Sequence, residues 1–187
     1  MVRGSHDLLR LVQGGVDTWN DHRLSIRRVS HALDDAFDCD LSGLDLRGRD
    51  LSGFDLSDCN LRGTLLEGCN LTDCSLARSD LTGANLSRAN LVRADLSLAE
   101  LSECELTECT FGDTRLIRTN LASVKGMGTA IHRYSSIVDC KTLMATADAL
   151  RKQTPYSADV WLFLERLGVD ARLLEAAMTS TGASSSL

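Results

Sequence analysis

Every fifth residue between positions 41 and 121 is a leucine, apart from one phenylalanine in the series. An α-helix repeats every 3.6 residues and a strand every two, so neither places every fifth side chain on one face. A chain that turns a corner every five residues does, and four such units close a square. The period therefore predicts a quadrilateral β-solenoid in which each residue lies above the residue twenty positions earlier. The seventeen positions are Leu41, Leu46, Leu51, Leu56, Leu61, Leu66, Leu71, Leu76, Leu81, Leu86, Leu91, Leu96, Leu101, Leu106, Phe111, Leu116 and Leu121.

The other positions of each five-residue unit agree with this geometry. Two residues before each periodic leucine, the side chain is small from residue 59 onward. The residue directly before the leucine is usually Asp or Asn, and Gly often stands two residues after it. Asp, Asn and Gly tolerate the dihedral angles of tight corners. We therefore expect large and small apolar side chains to alternate inside the solenoid, with polar residues at its corners.

This repeat resembles the pentapeptide-repeat family, whose unit is written A(D/N)LXX. The match is clearest in GANLSRANLVRADLSLAEL at 83–101, and the resemblance covers about residues 39–123. It implies a right-handed quadrilateral β-helix with the leucine and the small residue pointing inward. Fold does not fix function, so the resemblance alone names no activity.

The predicted fold class is thus an all-β solenoid with helical N- and C-terminal caps. Residues 1–38 form the N-terminal helical cap, because the open end of a solenoid needs a cover. Residues 39–123 are the β-solenoid. Residues 124–178 are a C-terminal helical region, in which Ser157 begins a helix and Gly168 ends it. Residues 179–187 are predicted to be a disordered tail.

The segment after the repeats has a resemblance of its own. Residues 135–139 (SSIVD) and 163–170 (FLERLGVD) are similar to the segment that follows the repeats in many bacterial multidomain proteins. In those proteins the segment often leads into a TIR-type effector domain. The resemblance implies a relation to bacterial signalling or defence.

Seven cysteines raise the question of a metal site, and their register answers it. Six fall at the small inward position, where they alternate with Ala, Ser and Thr: Cys39, Cys59, Cys69, Cys74, Cys104 and Cys109. We expect buried, reduced thiols that fill the core. The chain has no Cys-x-x-Cys pair and its four histidines are scattered, so no metal or other cofactor is predicted. Phosphate loops and nucleophile elbows are also missing from the sequence, which predicts a non-enzymatic protein.

The charge balance restricts the class of partner. The net charge is −6, and residues 40–118 alone hold fourteen acids against eight arginines. An acidic solenoid is not expected to bind nucleic acid directly. No apolar run approaches the ~20 residues of a membrane span, and the N-terminus lacks a signal-peptide core, so we predict a cytoplasmic protein.

Two surfaces are candidates for a protein partner, whose identity the sequence does not give. The first is acidic and consists of acids that the cross-coil pairs within residues 39–123 leave over: Asp40, Asp45, Asp50, Asp55, Glu100, Glu103 and Glu105. Elsewhere the twenty-residue register places opposite charges in cross-coil pairs: Arg47 with Glu67, Asp58 with Arg78, Asp73 with Arg93, Arg88 with Glu108 and Asp95 with Arg115. Arg62 has only Ser42 and Thr82 as column neighbours.

The second candidate surface is apolar. Val92, Leu98 and Ile117 occupy outward positions, and Trp161 and Phe163 belong to a run of four apolar residues in the C-terminal region. The C-terminal helices either fold back over the solenoid or form a homodimer interface.

The sequence therefore predicts a non-enzymatic scaffold for protein–protein recognition, with a relation to bacterial signalling or defence. The alternative is a DNA mimic that binds DNA gyrase or topoisomerase and confers inhibitor resistance, as some pentapeptide-repeat proteins do. A mimic needs a long continuous negative strip, which the arginines of this solenoid interrupt.

Overall fold

The backbone of residues 40–139 winds into square coils that stack on one another. The structure is a computed structural model, and it describes residues 40–139, 141–143, 146, 157–170 and 172. Thirteen isolated parallel bridges each join a residue to the one twenty positions later, from Asp40↔Asn60 to Glu105↔Lys125. The predicted twenty-residue stacking is confirmed. The predicted N-terminal cap and the predicted disordered tail lie outside the described residues.

The periodic leucines form the core. All seventeen positions from Leu41 to Leu121 are buried, and each buried leucine contributes about 1.5–3 kcal/mol. The small inward residues lie between them. Several of the polar ones donate to the carbonyl of a leucine one coil below, as Thr64 does to Leu41 (2.9 Å) and Cys109 to Leu86 (2.7 Å), whereas Ser79 donates to Leu76 of its own turn (2.7 Å). Thr, Ser, Cys and Ala are interchangeable at this position because each is small and the polar ones find an acceptor.

A tight turn follows every leucine. Leu44 N–H donates to the Leu41 carbonyl across the first corner (3.2 Å), and Gly43 holds φ +67° in the third position of that turn. This is the position of a type II turn that favours glycine. Ten other corners place a non-glycine residue there with φ between 51° and 62°. They are Asp58, Asp73, Arg78, Arg88, Arg93, Leu98, Glu103, Glu108, Asp113 and Arg118.

A fifth, looser coil continues beyond residue 123, where the sequence predicts the solenoid to end. β1 (Thr110–Phe111) pairs in parallel with β3 (Ile131–His132), and β2 (Arg115–Leu116) pairs with β4 (Ile137–Val138). Thr110 pairs with Ile131 and Arg115 pairs with Ile137. Compared with the twenty-residue register, the coil is therefore one residue longer at β3 and two residues longer at β4. The first extra residue enters after Lys125, where a 3₁₀ turn spans Met127–Thr129. The irregular spacing hides this coil from a search for a five-residue period.

One helix of the C-terminal region packs on this last coil. Helix α1 spans Ser157–Arg166, and Gly168 follows it with φ +79°. Val160, Phe163 and Leu164 of α1 are buried in the same core as the leucines. Arg166 donates to the carbonyls of Gly128 (2.9 Å) and Ala130 (3.3 Å), which fixes the end of α1 on the 3₁₀ turn.

The register predicts slow thiol chemistry. Five described cysteines are buried thiols outside any disulfide: Cys59, Cys69, Cys74, Cys104 and Cys109. Burial raises the pKa of Cys69 to about 11 and that of Cys109 to about 12. Because the thiolate is the reactive form, alkylation of these five residues at pH 8 should be about tenfold or more slower than in the denatured chain. Peptide mass spectrometry after timed labelling measures this. Rapid labelling of the native protein at these positions would contradict the assigned register.

Candidate interaction surface

The residue before each leucine stabilises the corner through a side-chain hydrogen bond. Its side-chain oxygen accepts a hydrogen bond from the backbone N–H two residues later, as Asp40 does from Ser42 (3.0 Å) and Asp55 from Ser57 (3.0 Å). Glu100 and Glu105 have longer side chains and accept the equivalent hydrogen bonds from the N–H groups of Ser102 and Thr107. These bonds satisfy an N–H group of the turn. The recurrence of acids at this position is therefore explained by the turn.

The structure does not bring the seven candidate acids together. Residues five apart lie on successive faces of the square, so Asp40, Asp45, Asp50 and Asp55 face four different directions. The columns set by the parallel bridges place Glu100 above Asp40 and Glu105 above Asp45, three coils apart. Glu103 lies at the corner between these two faces. Asn60 and the ion-paired Asp80 lie between Asp40 and Glu100, and Leu65 and Asn85 lie between Asp45 and Glu105, so the candidate acids form no continuous strip.

Four of the five predicted cross-coil ion pairs are present. The contacts join Arg78 to Asp58 (2.5 Å), Arg93 to Asp73 (2.6 Å), Arg88 to Glu108 (2.8 Å) and Arg115 to Asp95 (3.5 Å). All of these groups are at the surface, where single ion pairs stabilise a fold only weakly. Their main effect here is to neutralise the acidic exterior.

Two arginines differ from the prediction. Arg47 binds Asp45 of its own coil (2.6 Å) rather than Glu67 of the next coil, because the turn already brings Asp45 to its backbone N–H. The side-chain hydrogen bond from Arg47, followed by its backbone N–H, lowers the pKa of Asp45 to about 2. Arg62 reaches diagonally to Asp80 (2.9 Å), so its column neighbours do not describe its surroundings. Long side chains contact diagonal positions that a column count leaves out.

The apolar candidates divide into buried and exposed residues. Phe163 is fully buried, Val92 is 8% exposed, and Trp161 is partly buried against the core. Ile117 is half-buried, whereas Leu98 is 46% exposed. The Trp161–Leu164 run is thus largely used inside the chain, which favours helix packing over a dimer interface.

Leu98 occupies an unusual corner. Its backbone has φ +62°, a conformation that costs a non-glycine residue about 1–2 kcal/mol. Seven of the ten non-glycine corner residues use their side chains in ion pairs, which gives them a local purpose. Leu98 is apolar and cannot form an ion pair, and it is 46% exposed to solvent. A strained residue with a large exposed apolar surface is a candidate for contact with a partner.

Further apolar and charged residues lie near Leu98 on the next coil. Its N–H donates to the carbonyl of Ile117 (2.8 Å), which places Ile117 and Arg118 on the next coil above it. Arg118 is exposed and makes no ion pair with any residue that the structure describes. Ile137 of β4, 50% exposed, lies above Arg115 on the adjoining face. We call Leu98, Ile117, Arg118 and Ile137 the Leu98 surface.

Sequence reasoning identified two of these four residues. Arg118 and Ile137 were missed, since Arg118 looks like any surface charge and Ile137 lies in the irregular fifth coil. A search for unpaired charges beside outward apolar residues in the twenty-residue register finds Arg118.

No group of His, Cys, Asp and Glu with the arrangement of a metal site occurs among the described residues. Within the same part of the chain, no helix has the length and apolar character to cross a bilayer.

The family comparison agrees with the geometry. Residues 39–76 and 59–97 match the profile of pentapeptide repeats, with 8 copies. Over these residues the chain carries pentapeptide repeats. The parallel pairing of successive coils makes residues 40–139 a four-sided β-helix. The resemblance of the tail to TIR-linked segments stays a prediction.

Solved structures of pentapeptide-repeat proteins resemble this solenoid. One from the thylakoid lumen of Arabidopsis thaliana is 29% identical, with a TM-score of 0.51 over 60% of this chain and 77% of that chain. One from Nostoc is 28% identical, with a TM-score of 0.39 over 55% of this chain and 78% of that chain. No curated protein matches the sequence.

QnrB1, a plasmid-mediated fluoroquinolone resistance protein, is also similar. It is 17% identical, with a TM-score of 0.28 over 61% of this chain and 64% of that chain. At this identity and TM-score the likeness carries no argument about function.

The cross-coil ion pairs predict a small, salt-dependent contribution to stability. Replacing Arg93 by Gln removes the pair with Asp73 and should lower Tm by a few degrees at most, because both groups are solvated. Replacing Arg118 by Gln, at an equivalent corner without a pair, should leave Tm unchanged. Thermal unfolding at low and high salt measures both, and equal effects at the two sites would contradict a structural role for the pairs.

The corner hydrogen bonds predict a larger effect. Asn85 accepts from both the N–H (3.0 Å) and the hydroxyl (2.6 Å) of Ser87. Asn85→Ala leaves the turn N–H without this acceptor and should lower the free energy of unfolding by about 1 kcal/mol. Asn85→Asp keeps the acceptor and should lie closer to the wild type. Urea denaturation compares the three proteins, and identical losses for Ala and Asp would exclude this role.

Proposed function

We propose that this protein is a non-enzymatic pentapeptide-repeat scaffold that recognises a partner protein through the Leu98 surface. The observation that carries the proposal is the conformation of Leu98: a large apolar side chain is held exposed by a left-handed backbone where six other corners use glycine. Glycine would adopt this backbone without strain. Keeping leucine there costs stability and leaves it 46% exposed, so we attribute its benefit to binding.

The composition of the surface indicates the chemistry of the partner. Leu98 is a compact apolar anchor, and Ile117 and Ile137 extend it to the neighbouring face. Arg118 adds an uncompensated positive charge beside the anchor. Apolar anchors surrounded by polar groups are typical of the energetic centre of protein interfaces. We therefore expect a partner that presents an apolar side chain next to a carboxylate.

The acidic surface is less suited to this role. Asp45 is paired with Arg47, Glu103 with Lys125 (2.9 Å), and the remaining candidates bond the turns. The candidate acids of the first and the fourth coil are separated by neutral residues and by Asp80, which is paired with Arg62, rather than joined in a strip. Five coils at ~4.8 Å give a rod of about 20 Å, which is short for a duplex mimic. Gyrase binding by DNA mimicry is therefore the second candidate in our proposal.

The remaining proposals, on nucleic acid, biological role and oligomeric state, rest mainly on the sequence. A net charge of −6 does not support direct nucleic-acid binding, and a role in bacterial signalling or defence rests on the tail resemblance alone. A homodimer through the C-terminal helices would have to use Leu162, 38% exposed, because its neighbours Phe163 and Leu164 are buried.

The test is a pair of glycine substitutions at equivalent corners. Leu98→Gly removes the anchor and relieves the backbone, so it should retain or raise Tm while it abolishes partner binding. Glu103→Gly has the same backbone position (φ +60°) and removes an acid from the alternative surface. Quantitative affinity capture from host extract, followed by binding of the purified partner, compares both variants with the wild type.

The outcomes separate the two candidates. A partner retained by Glu103→Gly and lost by Leu98→Gly supports the Leu98 surface. A partner lost by Glu103→Gly alone, together with inhibition of gyrase supercoiling by the wild type, would replace it with the acidic one. If Leu98→Gly binds as tightly as the wild type, the proposal is wrong.

A further inference from the structure

The described part of the chain places a histidine inside an apolar column of the core. The periodic positions Leu51, Leu71, Leu91 and Phe111 stack on one another along one face of the solenoid. In the β1–β3 pairing, Phe111 faces His132, so the imidazole takes the next position in this column. The rings of Phe111 and His132 are stacked, with centroids 6.1 Å apart and an interplanar angle of 20°.

Helix α1 adds a third ring to this pair. Phe163 lies 4.9 Å from His132 and 5.0 Å from Phe111 between ring centroids. Both imidazole nitrogens are shielded from solvent and have no hydrogen-bond partner among the residues that the structure describes. Buried polar groups in native proteins are usually hydrogen-bonded, so this arrangement requires an explanation. A neutral ring tolerates such a site at some cost, whereas a charged ring does so only at a large one.

We propose that His132 is a pH-sensitive latch: its neutral ring holds helix α1 on the last coil, and its protonation releases the helix. The proposal concerns the end of the solenoid and does not depend on the Leu98 surface. It would allow an acidic environment to uncover the last coil while the stacked coils below stay folded.

The charges around the ring also disfavour its protonation. Burial first, and then the charge of Arg166, lower the pKa of His132 from its reference value of 6.5. Arg166 is fixed beside the ring by its bonds to the 3₁₀ turn, and it would repel an imidazolium. From the coil side the ring faces Phe111, and exposed Arg133 follows it in the chain. Asp159 of α1 lies against Gly128 in the neighbouring turn.

The sign of the pH effect follows from the lowered pKa. Above pH 6.5 the ring is neutral whether α1 is packed or released, so the helix is fully held. As the pH falls through 6.5, the released state takes up a proton that the packed state resists. The packing of α1 therefore weakens on acidification. Attraction between an imidazolium and the faces of the two phenylalanine rings opposes this, but it does not replace the water lost by both nitrogens.

Trp161 of α1 reports the release. It packs partly buried against the core, and Trp19 is the other tryptophan of the chain, so a Trp19→Phe protein has a single reporter. Between pH 7.5 and 5, we expect its emission to shift to longer wavelength with a midpoint below 6.5, while the far-UV circular dichroism of the solenoid is retained. His132→Phe in the same background should show no such transition.

Two controls keep the test decisive. Replacing His6, His22 and His31 by Gln leaves His132 as the only histidine, and the transition should persist. If His132→Phe is poorly folded, His132→Leu fills the same column position without an aromatic ring. An emission spectrum of Trp161 that does not change with pH would overturn the proposal. So would the same transition in a folded His132 variant.

Discussion

Parallel hydrogen bonding between residues twenty positions apart sets the rest of this structure. Each coil donates to and accepts from its neighbours, as in Leu41 N–H to the Asn60 carbonyl (2.8 Å) and Leu65 N–H to the Leu44 carbonyl (2.9 Å). Once this register exists, every fifth side chain must point inward and its neighbours must point outward. Leucine fills the inner volume, and its burial supplies the driving force for closing a square with no other hydrophobic layer.

The same constraint determines what the surface can do. Because each repeat turns a corner, charges adjacent in the repeat pattern face different directions, and charges twenty residues apart become neighbours. The acidic sequence consequently folds into a surface of ion pairs and turn-capping carboxylates. Among the non-glycine corner residues, Leu98, Asp113 and Arg118 form no ion pair with a described residue, and Leu98 is the apolar one of these three. This is why a single corner, rather than the net charge, directs the functional proposal.

The upper end of the solenoid shows how such a stack is finished. The last coil loosens by two residues, and Asp139 joins it to the following segment through bonds from the Arg118 N–H (3.0 Å) and Thr142. Burial tends to raise the pKa of Asp139, but these hydrogen bonds lower it to about 2. Helix α1 then covers the final column, with Phe163 in place of another leucine. The end therefore combines a strongly ionised carboxylate with a histidine that is kept neutral, a contrast that the interior coils do not have.

The sequence by itself determined the five-residue corner, the twenty-residue register, the seventeen core positions, the burial of the described cysteines and four of the five cross-coil pairs. Each of these follows from a period that is uniform along the chain. Tertiary structure alone decided that Arg47 binds Asp45 and that Arg62 binds Asp80, neither of which is a column neighbour. Long side chains reach such positions both along a coil and diagonally across coils. It also decided that the solenoid continues through Ile137–Val138, where inserted residues remove the period. Finally, it placed His132 beside two phenylalanines, one from the coil and one from a helix about thirty residues later in the chain. No local pattern could show this, because the two rings meet only when the helix folds back onto the last coil.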